Sequence, residues 1–82
     1  MLDDPCTRFN NITQRVFRGY ITPVVYVWET NDPENPWRAE ARLLNANNLT
    51  VAKFAQSSAT RKQRAKDLAA HTAYQWLHAL YP

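Results

Sequence analysis

The sequence predicts an α+β fold in which two helices lie on one face of a three-stranded antiparallel sheet. Two observations predict it. Apolar residues recur at helical spacing near both ends of the 82-residue chain, and the stretch between them is β-branched, aromatic or strictly alternating. Clusters of Asn, Asp and Pro then divide that middle stretch into three strands joined by turns. The order is therefore α-β-β-β-α. An antiparallel sheet with helices segregated to one side is the layered solution for it.

The first helix is predicted from Pro5 or Cys6 to Phe17. Asp4 is placed to cap it, Pro5 suits a first helical position and Gly19 suits its end. Phe9, Ile12, Val16 and Phe17 form its apolar side. Thr7, Arg8, Asn11, Gln14, Arg15 and Arg18 form the polar one. After a short connection holding Pro23, residues 24–30 (Val-Val-Tyr-Val-Trp-Glu-Thr) have strand composition. Residues 31–36 are a turn, since Asn, Asp and Pro each favour one.

Trp37, Ala39, Ala41 and Leu43 then alternate with Arg38, Glu40 and Arg42, as in a strand with one face buried and one in water. Residues 45–48 (Asn-Ala-Asn-Asn) make the second turn, and residues 49–56 read as a third strand with Ala52 and Phe54 on one face and Val51 and Lys53 on the other.

Residues 57–80 read as one uninterrupted helix, free of Gly and Pro, with Ser58 or Thr60 as its cap. Its apolar stripe is predicted as Ala65, Leu68, Ala69, Thr72, Ala73, Trp76 and Leu80. Arg61, Lys62, Arg64 and Lys66 crowd its opening turns, where the helix dipole disfavours cations by about 0.3 kcal/mol or more each. A charge run is ordinarily a solvated face. The other reading is a site for phosphates, where exposed N–H groups, dipole and cations act together.

Lys62, Ala65, Lys66, Ala69, Ala70, Ala73 and Leu77 reproduce the order K-x-x-A-K-x-x-A-A-x-x-A-x-x-x-L. With a strand and small residues before it, this order resembles the C-terminal half of the double-stranded-RNA-binding domain. Pro23-x-Val25 and Trp37-x-Ala39-x-Ala41 are similar to that family's first two strands, and Pro5-x-Thr7-x-Phe9-Asn10-Asn11 to its opening. The resemblance spans residues 1–82 as a single domain, a module of a larger protein. It implies a non-catalytic role: binding A-form double-stranded RNA by shape and backbone contacts.

Residue by residue, the resemblance puts Lys62, Gln63 and Lys66 at an RNA major groove, with Arg61 and Arg64 adding charge. Thr7, Asn10, Asn11 and Gln14 would face one minor groove, where ribose hydroxyls are read. The first strand–strand loop, with Asn35 as its polar contributor, would face the other. Three departures stand out. Gln63 replaces a usual lysine, the loop lacks the family's His, and Asp32 and Glu34 there repel phosphates. Together with an excess of aromatics (Tyr26, Trp28, Tyr74, Trp76, Tyr81), they keep a second reading open: a degenerate member that contacts a partner protein or a second copy of itself.

Charge follows the first reading. Through Glu40 there are four cations against six anions, and from Ala41 onward six cations against Asp67 alone, so an anionic partner is expected on one side. The remaining signals are exclusions. Cys6 is the only cysteine and two histidines cannot close a zinc site; no cofactor or metal is implied. No carboxylate pair or Ser-His-Asp set is arranged, and a single Gly cannot make a phosphate loop, so no enzyme is expected. No run approaches the roughly 20 apolar residues of a membrane span, and the acidic start at Asp3 and Asp4 is unlike a signal peptide; an intracellular location without membrane contact is expected.

Overall fold

The computed structural model describes residues 4–82; Asp3 of the acidic start lies outside them. The elements are α1 (Pro5–Phe17), β1 (Thr22–Glu29), β2 (Trp37–Leu44), β3 (Thr50–Lys53), β4 (Ser57–Ala59) and α2 (Lys62–Leu80). The α+β class, the antiparallel sheet and the pair of flanking helices are as the sequence predicts.

α1 forms for the expected reasons. The Asp4 carboxylate accepts the Thr7 N–H at 2.7 Å and Pro5 occupies the first turn. The end is tighter than expected, because Arg18 already takes a left-handed conformation (φ 51°) and Gly19 follows at φ 86°. Nothing lies within 4 Å of a Cβ built on Gly19, so the backbone angle and not space calls for glycine there.

β2 is the central strand. β1 pairs along its whole length, Thr22↔Leu44 through Glu29↔Trp37, and Pro23 is tolerated because β1 has one free edge. The third strand is broken, contrary to the single run expected over residues 49–56. β3 pairs with one end of β2 (Arg42↔Lys53) and β4 with the other (Trp37↔Ala59). The Phe54 N–H still reaches the Ala41 carbonyl at 3.1 Å before the chain leaves the ladder. Ser57–Ala59, expected in the last helix, is thus sheet, since the unpaired length of β2 outweighs the weak local preference of three small residues.

The core lies between sheet and helices in two clusters. Phe9, Ile12, Ala41, Leu43, Ala70, Ala73 and Leu77 fill the space under both helices. Ala39, Ala59, Ala65 and Ala69 form a thin, all-alanine layer where the first half of α2 rests on the sheet. The buried side of α2 is therefore Ala65, Ala69, Ala70, Ala73 and Leu77, the apolar positions of the quoted motif. The stripe expected through Trp76 and Leu80 is corrected: both are nearly 60% exposed.

Contacts between the helices run in the same direction along both. The Cys6 thiol lies 3.8 Å from Asp67, the Arg8 guanidinium sits over the Tyr74 ring, and Phe17 meets Tyr81 edge to face at 6.0 Å. α1 and α2 are accordingly parallel, with both N-termini at one end. The outer sheet face also departs from expectation, because Glu40 is buried. Arg42 covers it with a 3.0 Å ion pair while stacking its guanidinium on Tyr26 at 4.8 Å, which supplies the partner a buried carboxylate requires.

Candidate nucleic-acid interface

The first turn of α2 is built from an unusual start. Arg61 holds the cap position in an extended conformation with no side-chain hydrogen bond, and no acid occupies the first turn. The expected caps are corrected, since Ser58 is paired in β4 and Thr60 precedes the cap position. The first N–H groups of an α-helix have no intrahelical partner. With no side chain supplied for them, they and the dipole face outward beside four cations.

Arg61, Lys62, Gln63 and Arg64 are exposed, and Lys66 is half-buried. Among the described residues no carboxylate lies within ion-pair distance of these four cations. The one acid nearby, Asp67, instead accepts the Gln63 amide at 2.9 Å and the Cys6 thiol. Lys62 has a different support: its ammonium lies 5.9 Å from the centre of the Trp37 ring, within cation–π range. That aromatic was not among the candidate residues. Its alternation had marked it only as core, and the β2–β4 pairing that carries it beside the helix start has no local signature.

The α1 candidates divide. Asn10, Asn11 and Gln14 are exposed, and no intramolecular hydrogen bond engages their side chains among the described residues. Thr7 is half-buried and committed to the cap, where its N–H and then its hydroxyl draw the Asp4 carboxyl below the usual range. In the β1–β2 loop, the Asp32 carboxylate takes the N–H groups of Glu34 (2.9 Å) and Asn35 (3.2 Å), which lowers its pKa. The Asp32 charge is thereby fixed on the loop tip beside Asn35, whose side chain is exposed.

Two contacts fix how the three regions sit relative to one another. Cys6 against Asp67 ties the start of α1 to the second turn of α2, and Trp37 against Lys62 ties the end of the loop to the first. The cations at 61–66 and the loop thus share one end, while the open amides of α1 lie further along, between Arg8, which faces Tyr74, and Arg15, which donates to the Tyr81 carbonyl at 2.8 Å.

The half-buried Cys6 thiol is pushed above its usual pKa, chiefly by burial and next by the Asp67 charge. A raised pKa means less thiolate at neutral pH, so alkylation by iodoacetamide is expected to be several-fold slower than for an unfolded thiol and to keep accelerating above pH 9. Rates measured from pH 7 to 10 with and without denaturant check this; equal rates contradict the packing of Cys6 against α2.

No protein-family model matches the chain, and no curated protein matches it significantly. No helix among the described residues is long and apolar enough to cross a membrane, and no three potential metal ligands cluster there.

Proposed function

We propose that the chain is a non-catalytic, intracellular module that binds A-form double-stranded RNA by shape. The observation that carries this reading is the unpaired cationic start of α2, fixed by an alanine layer on the sheet and held at a set span from the polar side of a parallel α1. Lys62, Lys66, Arg61 and Arg64 would neutralise phosphates across a major groove, while Asn10, Asn11 and Gln14 offer donors and acceptors to ribose hydroxyls in the adjoining minor groove. Asn35 would approach the next minor groove, against repulsion from Asp32 and Glu34. Gln63, tied to Asp67, contributes its carbonyl and no charge.

A blunt RNA duplex of about 16 base pairs, the span such a module covers, tests the reading against the same sequence as DNA at two salt concentrations. The RNA is expected to bind at least several-fold more tightly, with affinity falling steeply as salt rises. Equal binding of the two duplexes reduces the site to charge alone.

A second reading, a module that docks protein, is favoured by one observation. An open groove of about 560 Å³ lies at the far end of α2, with Phe17, Leu43, Phe54, Trp76, Leu80 and Tyr81 on its walls.

A further inference from the structure

The last turns of α2 expose more apolar surface than a solvated helix end needs. Trp76 is 58% exposed, Leu80 59% and Tyr81 44%. Trp76 and Leu80 form a ridge with a hollow on each side. One is the large groove already described. The other, of about 300 Å³, is a furrow on the helix itself, lined by Gln75, Trp76, Ala79 and Leu80.

These four residues are two rows at i and i+4 spacing, 75/79 and 76/80, with small Ala79 leaving room between them. A furrow between two such rows is the receptor for an i, i+4 row of a second helix. This is the commonest way helices pack, with axes crossing near 50°. The row best shaped to fill it is Trp76–Leu80, which this chain itself presents.

We infer that α2 docks against α2 of a second copy of this chain about a two-fold axis, each Trp76–Leu80 row seated in the other's furrow. A surface carrying both ridge and furrow is self-complementary, as a two-fold interface must be. Charge permits it. None of the four residues is ionisable, the nearest of the helix's opening cations, Lys66, is nine residues or about 13 Å back along the axis, beyond a Debye length in physiological salt, and Arg15 of α1 is engaged by the Tyr81 carbonyl at 2.8 Å. Lys53 is the one charged residue on the wall of the larger groove. Dimers joined here keep both cationic ends free for duplex.

Two helical turns and a groove rim cover less than the roughly 800 Å² per partner of a standard interface, so the dimer is weak, with Kd on the order of 10–100 μM. Sedimentation equilibrium without RNA, from about 5 to 500 μM chain, spans that range. The mass is expected to rise from 9.5 kDa toward twice that value. Trp76→Glu and Leu80→Glu chains are expected to stay monomeric with unchanged circular dichroism.

A wild-type chain that remains monomeric throughout overturns the inference, as does a dimer that survives both substitutions. A monomer that instead seats an added amphipathic helix of unrelated sequence on this furrow overturns the second copy as its occupant. Because RNA is absent, failure of the RNA-binding reading leaves this result standing, and the reverse holds as well.

Discussion

Replacing Lys62 and Lys66 together by alanine is expected to lower affinity for duplex RNA by 30- to 100-fold, equally for every duplex sequence. On the proposed reading each lysine would donate to phosphate, and a hydrogen bond at an exposed site contributes about 1–1.5 kcal/mol once water has competed for it, close to tenfold in affinity. The slope of log affinity against log salt should also flatten by about two, one unit for each phosphate that the protein no longer neutralises. The fold should survive, since Lys62 is exposed and Lys66 only half-buried. Lys66→Met, which keeps the apolar stem, separates the role of charge from that of packing. Fluorescence anisotropy at two salt concentrations reads both effects, and an unchanged slope contradicts the assignment.

The largest effect on stability is expected from Phe9→Ala. Phe9 is 1% exposed, lies within the cluster that α1, α2 and β2 share, and meets the Phe54 ring edge to face at 6.3 Å. Removing such a side chain costs about 3–5 kcal/mol, transfer and cavity terms together. A domain of this length has roughly 4–12 kcal/mol to lose. The midpoint of thermal unfolding should fall by roughly 15–30 °C. Circular dichroism measures it, and a drop of only a few degrees would mean that α1 does not anchor the core.

Most of the architecture was legible because it rests on local signals. Asp4 and Pro5 announce α1, Asn and Pro mark the turns, and the alternation of Ala39, Ala41 and Leu43 fixes which face of β2 is inside. What was not legible depends on partners distant in the chain. Ser57–Ala59 becomes a strand only because β2 has unpaired length beside it. Glu40 looks like a surface acid until Arg42 and Tyr26 close over it.

α2 shows the same limit most clearly. Ala65, Ala69 and Ala73 belong to both apolar stripes that could be drawn on it, one continuing to Trp76 and the other taking in Ala70 and Leu77. α1 packs on the side of Ala70, Ala73 and Leu77, which decides between them. In the candidate site the cations were legible as residues. Their lack of carboxylate partners, the missing cap and the ring of Trp37 under Lys62 were not.

RNA binding by shape requires that the α2 cations and the amides of α1 act together across a fixed span. Backbone amide shifts of the labelled chain, followed as a duplex RNA of about 16 base pairs is added, report on both helices at once. Simultaneous, saturable shifts are expected at Asn10, Asn11 and Gln14 and at residues 61–66. Shifts confined to one helix, or centred on Trp76 and Leu80, would mean that the two helices do not form one RNA-binding surface.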